Sequence, residues 1–407
     1  MAGSAPGRGA TLRSFVVVTG STLLSGLLNA LLIALAARRG ETDEIAAFIV
    51  MTAVLAIVGV ASGGGSGMLY LTGTEDERRA VRSQKVLAVF PALVLAALAA
   101  GAFYHDRGYS ALALAAAALV FIGNNFAELP LAQLYRDTRF LRIAAPTYLS
   151  KAGAIVAFVA GAPLTMALLV GAAVNVASLE LLAGRSSSLR ALWNDRPTVA
   201  AARRAFGSGR GLYVYTVSEL YALRVPSIGL SLVVPVTVMG AFGAVAAAYQ
   251  ALLSVFQSGL LMVASLRARR RLGLDQNAAH RRDAELLSLG GGILCAMVVV
   301  AVAPWLTTHV LQLRVPESST WLQILGLSIP FVLFNRILAT NAIGDARYPA
   351  AARIAVSLAA MTTVSLAIAI PLLGVTGGVL ATLCAEGVVA GALLARRLPS
   401  VRGGQIS

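Results

Sequence analysis

Seven ionisable side chains fall inside long apolar runs of this chain: Lys151, Arg224, Arg336, Glu128, Glu180, Glu219 and Glu386. An ionised Arg near mid-bilayer costs about 2.5–3.5 kcal/mol on insertion scales, so such groups should face protein or a wet cavity rather than lipid. The three cations suit an anion. Arg offers a forked pair of donors to phosphate oxygens, and Lys a point charge. The structural alternative is pairing with a nearby acid or, for Arg336 towards the inner end of its run, snorkelling to the interface. Glu386 is the most central acid and is the candidate ion-coupling group; its other reading is counter-ion to a buried cation. Glu128 and Glu180 lie near inner run ends and read as interfacial. Glu219 and Arg224 are five apart, about 140° around a helix, so they should not pair within their own helix.

Uncharged polar residues extend the same surface. Asn125 and Glu128, three apart, share one face of span four, while Asn29, Asn175 and Asn335 stand singly at membrane depth, where interhelical hydrogen bonds are the alternative to lining a cavity. Gln250, Ser254 and Gln257 share one helix face, as do Tyr221 and Arg224. Tyr213, Tyr215 and Tyr221 could stack on sugar rings, although Tyr is common at membrane interfaces. Gly63-Gly64-Gly65-Ser66-Gly67 should interrupt its helix or pack it closely on a neighbour. The sequence holds no Walker A motif, so ATP is not the expected energy source. His105, His280 and His309 read as loop residues without metal-ligand spacing, and no metal or cofactor is expected. An enzyme is not expected either, because the outer loops are short.

These residues are carried by a chain that is 58% hydrophobic, with a mean hydropathy of +0.79. Repeated apolar runs of membrane length indicate an all-α polytopic membrane protein. About twelve spans are expected: Ser14–Ala37, Ile45–Leu71, Val86–Tyr104, Ser110–Leu134, Ile143–Ala160, Leu164–Ala183, Leu212–Val234, Val238–Leu266, Leu286–Trp305, Trp321–Ile343, Ala351–Leu373 and Val375–Ala395. They divide into six-helix lobes at residues 1–183 and 212–407, joined by a basic linker at 184–211. No cleavable signal peptide is read at the start. The outer loops hold Arg38, Arg39, Arg107 and Arg314, whereas the inner segments hold most of the remaining Lys and Arg. Both termini are therefore expected in the cytoplasm, with the basic collar against anionic lipids of the inner leaflet. The net charge of +15 is spread over every inner loop rather than gathered in one basic domain, which argues against nucleic-acid binding. Cys295 and Cys384 both sit in apolar runs and suggest no disulfide.

The halves repeat. Asp137-Thr138-Arg139-Phe140 follows span four, and Asp345-Ala346-Arg347-Tyr348 follows span ten. Ala46-Ala47-Phe48 matches Gly240-Ala241-Phe242, and Ser66-Gly67-Met68-Leu69 matches Ser258-Gly259-Leu260-Leu261. Six spans per half make a parallel repeat, with a cavity between lobes suited to alternating access. With Glu44-Ile45-Ala46-Ala47-Phe48, the run from Met239 to Gln250, and the run from Pro371 to Val379, the pattern resembles the polysaccharide-exporting, Wzx-like branch of the multidrug/oligosaccharidyl-lipid/polysaccharide (MOP) superfamily. Two departures stand out. Of the Asp-Arg pair often found in span seven only Arg224 is kept, and the two extra C-terminal spans of lipid II flippases are absent.

The resemblance implies a MOP/MATE-like fold in the cytoplasmic membrane and a flippase for a polyprenyl-pyrophosphate-linked saccharide. Glycosyltransferases and a polymerase of the same pathway would be its partners. Lys151, Arg224 and Arg336 would then hold the pyrophosphate in the cavity, with Asn29, Asn125, Asn175, Tyr221, Gln250 and Gln257 as polar lining. The alternatives are a MATE-like drug or metabolite ion antiporter, which would want an acidic cavity, and a transport-inactive scaffold for envelope synthesis.

Overall fold

A backbone in hydrocarbon must satisfy its own hydrogen bonds, and a helix does so within one segment. The Ala-, Leu- and Val-rich runs accordingly fold as helices. The computed structural model describes residues 8–58, 66–107, 111–136, 140–183, 197–271, 273 and 280–397, and none of these is in a strand. The helices are α1 (Arg8–Arg38), α2 (Thr42–Val58), α3 (Ser66–Thr72), α4 (Glu75–Arg107), α5 (Ala111–Arg136), α6 (Phe140–Val159), α7 (Leu164–Ala183), α8 (Val199–Ser208), α9 (Arg210–Val233), α10 (Val236–Arg271), α11 (His280–Trp305), α12 (Ser318–Gly344) and α13 (Tyr348–Arg397). A π-helical turn, Leu306–Val310, continues α11.

Among the described residues seven helices are long and apolar enough to cross a membrane, the last running from Tyr348 to Ala395. That last one is two crossings. Gly374 has φ 57 and ψ −129, a conformation that glycine adopts without a Cβ clash, and the chain reverses there. Leu358 before the bend consequently packs with Ala385 and Val389 after it. The second crossing is split between α2 and α3; Gly63, Gly64 and Gly65 fall between them and lie outside the described residues, as do Asp137 and Arg139. With α2 and α3 counted together, α13 counted twice, and the ten-residue α8 set apart as part of the expected linker, the helices match the expected layout.

Two apolar clusters, one at each end of the bundle, both draw on the two halves of the chain. At the end expected to face outward Leu32, Ile45, Val50, Leu114 and Phe158 join Met239, Phe242, Leu322 and Leu333. Small residues let helices approach there: a Cβ on Gly26 of α1 would lie 3.1 Å from the Ala251 Cβ of α10, and one on Gly240 would meet the Thr42 carbonyl at 2.7 Å. Arg38 also donates to the His309 carbonyl at 3.3 Å. At the opposite end, expected to face the cytoplasm, Tyr70, Val81, Leu134 and Tyr135 join Leu212, Tyr215, Ile343 and Ala351. Across that seam Thr72 Oγ1 and the Tyr348 hydroxyl are 3.2 Å apart, and Ser265 donates to the Tyr135 carbonyl at 3.1 Å. The opposite, lipid-facing surface is apolar, as Leu98, Val156, Leu181 and Leu372 show.

Several charges assigned to the expected inner collar are not exposed. Lys85 is buried and pairs with Glu128, which also accepts from the Gly67 amide at 2.8 Å. Glu128 is therefore not simply interfacial: it caps α3 at the end where a helix presents free N–H groups. Arg136 donates to the Leu71 and Gly73 carbonyls at 3.2 and 2.7 Å, and Arg271 to that of Thr72, at the end with free carbonyls. A seven-residue helix cannot hold itself together in isolation; here charges of the correct sign close both ends. Arg267 is buried too, bonded to Asp345 at 2.8 Å and Glu285 at 3.2 Å. The histidines are not in loops: His105 belongs to α4, His280 opens α11, and His309 lies in the π turn. The helix α4 begins at Glu75 rather than Val86.

Candidate functional site

α9 carries Tyr215 and Glu219 four apart, so both face one way. They line a cavity of about 240 Å³ with Gln257, Leu260 and Leu261 of α10, Arg336 and Thr340 of α12, and Met68 of α3. Met68 comes from the first half of the chain and the rest from the second, so the cavity lies on the seam between them. The Arg336 Nε stands 3.2 Å from Glu219 Oε1. Arg336 is only 7% exposed, so its guanidinium does not snorkel out: it is held inside, by an acid 117 positions earlier in the chain. Glu219 avoids Arg224, as the helical angle between them requires.

A smaller chamber of about 20 Å³ adjoins the cavity. Tyr215, Glu219 and Arg336 line both spaces; Asn335, Ala339 and Glu386 line the chamber alone. Glu386, on the second arm of α13, is 5% exposed. Its Oε2 accepts from Asn335 Nδ2 at 2.7 Å, and the same nitrogen donates to the Glu386 carbonyl at 3.1 Å. Asn335 thus fixes the carboxylate, although it and Arg336 are neighbours on one helix. Two buried polar atoms here have no hydrogen-bond partner among the described residues: Arg336 Nη1 and Asn335 Oδ1.

The other two cations are placed elsewhere. Lys151 Nζ donates to Asn29 Oδ1 at 2.9 Å, joining α6 to α1, and Arg224 Nη1 donates to Gln250 Oε1 at 3.0 Å, joining α9 to α10. Neither lines the cavity or the chamber. They do flank the same packing seam: Asn29 sits one turn from Gly26, and Gly26 packs on Ala251, next to Gln250. Each of these acceptors is a neutral amide, so the hydrogen bond satisfies geometry and leaves the positive charge uncompensated. The Tyr221 hydroxyl accepts from Thr363 Oγ1 at 3.2 Å. Asn175 is half-buried on α7, and its main-chain carbonyl accepts from Ser178 Oγ at 3.1 Å. The Asn125 side chain lies outside those described. Among the described residues no cluster of His, Cys, Asp or Glu could hold a metal ion.

Sequence reasoning did not foresee Asn335 as the partner of Glu386, nor Thr340 and Met68 as cavity residues. Asn335 beside Arg336 in an apolar run was the available signal.

No protein-family model matches the sequence, and no curated protein matches it. Solved structures do match. The eukaryotic MATE transporter AtDTX14 superposes with a TM-score of 0.62 at 14% identity, over 95% of each chain. A MATE in complex with MaL6 gives 0.60 at 14% identity, over 96% of this chain and 97% of that one. A MOP-superfamily transporter from Pyrococcus furiosus, described as having a binding pocket of reverse polarity that suggests a different function, gives 0.57 at 12% identity, over 95% and 98%. At such identities the likeness is one of architecture, and it extends over nearly the full length of both chains: this chain has the fold of the MATE transporters of the MOP superfamily.

Proposed function

We propose that this chain is an alternating-access secondary transporter of the MATE-like type, coupled to protons through Glu386. The observation that carries the reading is the linked pair of spaces on the seam between the halves, with Glu219 and Arg336 shared by both and Glu386 held behind them. A titratable carboxyl at membrane depth is costly to keep and marks ion pathways in transporters. Sodium suits the chamber less well, because the Arg336 guanidinium places a like charge beside any bound cation. In proteoliposomes, an imposed proton gradient should drive transport in the native protein, and Glu386→Gln should abolish that dependence while the protein still folds. Gradient-dependent transport surviving in Glu386→Gln would remove Glu386 from the mechanism.

One observation favours a second reading of the cargo, an anionic lipid-linked saccharide. Lys151 and Arg224 each donate to a neutral amide, Asn29 and Gln250, rather than to a carboxylate, and they flank the α1–α10 seam that must part if the halves rock. The cavity itself supports an anion less, since Glu219 neutralises Arg336 there. The neighbour with reversed pocket polarity is consistent with cargo of either charge on this fold. Binding of a lipid-pyrophosphate sugar and of an organic cationic dye to the purified protein separates the two. If the sugar lipid binds and loses affinity in Lys151→Ala and Arg224→Ala, the cargo is anionic; if only the dye binds, the antiporter reading stands alone.

A further inference from the structure

The chamber between α9, α12 and the second arm of α13 presents an unusual demand. Among the described residues Arg336 Nη1 is a donor without an acceptor and Asn335 Oδ1 an acceptor without a donor, and both residues line a space of about 20 Å³. Leaving such groups unpaired in a low-dielectric interior forfeits the hydrogen bonds they would make to water. An anion would satisfy Arg336 but face Asn335 Oδ1 and Glu386. A cation would satisfy Asn335 but meet Arg336. A water molecule both accepts and donates, and needs only about 10–15 Å³ of such volume and two to four polar partners.

We propose that the chamber holds one structural water, bonded to Arg336 Nη1 and Asn335 Oδ1, and that this water passes the proton between Glu386 and Glu219. Charge counting supports the second half. One guanidinium balances one carboxylate, so two carboxyl groups sharing Arg336 hold a single exchangeable proton between them. In the transfer the Glu386 carboxyl gives its proton to the water oxygen while the water gives one of its own to the Glu219 carboxylate. One O–H bond is lost and one gained at the water, and Arg336 balances whichever carboxylate is left ionised. Glu219 lines both spaces, so it is the residue that can exchange the proton with the cavity; Glu386 lines only the chamber. The remaining titratable groups about Glu386 are Tyr215 of α9, bonded to Glu219, and Tyr249 of α10, whose hydroxyl is 2.8 Å from Ser328 Oγ. The first arm of α13 contributes only Ile354, Ala355 and Leu358.

The inference rests on the proton-coupled reading above but is tested without transport. A density map of the full chain in nanodiscs, at a resolution that shows waters, should contain one peak within hydrogen-bond distance of Arg336 Nη1 and Asn335 Oδ1. Ala339→Leu, which adds bulk to the chamber wall without touching a polar group, should remove the peak. The infrared band of the protonated Glu386 carboxyl, identified by difference against Glu386→Gln, should exchange with D2O at least tenfold more slowly in Ala339→Leu. No peak in the native map, a peak that behaves as an ion, or unchanged exchange in a folded Ala339→Leu overturns the proposal. A peak together with Glu386-independent transport would instead overturn the coupling reading and leave the water site in place.

Discussion

The Arg336–Glu219 pair gives the sharpest energetic test. Arg336→Met keeps the length and apolar stem of the side chain and removes the charge, leaving Glu219 and Glu386 in one buried cluster without a cation. The exposure of the paired side chains is 8% for Arg336 and 21% for Glu219, so solvent offsets only part of the loss. Removing one member of a buried pair costs about 3–5 kcal/mol, chiefly because the other charge is left uncompensated. Glu219→Gln alone should cost less, since Arg336 retains electrostatic contact with Glu386. The double variant should be more stable than the two single losses summed, with a coupling energy of about 1–3 kcal/mol. Unfolding of the purified proteins in mixed micelles, read by Trp fluorescence, measures all four corners of the cycle. Additive losses would show that the 3.2 Å contact contributes nothing and would refute the charge-balance argument for the chamber.

Other consequences reach the rest of the molecule. Gly26→Leu should hold α1 away from Ala251 and prevent the outer seam from closing, so a cysteine pair at Asp43 and Glu317 would cross-link more slowly than in the native protein; an unchanged rate would contradict the packing argument. Glu41 accepts from the Leu164 amide at the outer end of α7, and burial, opposed by that bond, raises its pKa above the ordinary 4.5. A carboxyl raised in the folded state favours folding below its unfolded pKa and loses that contribution as pH climbs through the folded value. The melting temperature of native protein relative to Glu41→Gln should therefore be higher at pH 4 than at pH 7; a difference that is constant or of opposite sign would refute the assignment. Single cysteines at Ser187 and Asn277 should label only from the cytoplasm and one at Ser318 only from outside, and labelling of Ser187 and Ser318 from one side would overturn the orientation.

Much of this architecture was legible in the sequence because apolar length determines what can cross a bilayer. The turn at Gly374 falls between the expected spans Ala351–Leu373 and Val375–Ala395. What escaped was pairing at a distance. Helix geometry correctly separated Glu219 from Arg224, yet nothing local indicated that the partner would be Arg336. Lys85 read as one of several cations in a charged loop, because neither its burial nor its contact with Glu128 on α5 leaves a trace in neighbouring residues. The α4 extension over Glu75–Lys85 was missed for a related reason: its charges break the hydropathy signal without breaking the helix. Lys151 and Arg224 were expected to line one central cavity; the sequence did not show that each would donate to an amide on a neighbouring helix, Asn29 and Gln250.

If the proposed proton coupling holds, protonation at Glu386 selects which side of the molecule is open, a response that can be measured without knowing the cargo. Spin labels at Asp43 and Glu317 report the outer seam, and labels at Asp76 and Arg347 the inner one; all four positions are exposed. Double electron–electron resonance in nanodiscs between pH 5 and pH 8 should show one pair lengthening as the other shortens, with the response absent in Glu386→Gln. Distances that ignore pH in the native protein, or that still respond in Glu386→Gln, would contradict it.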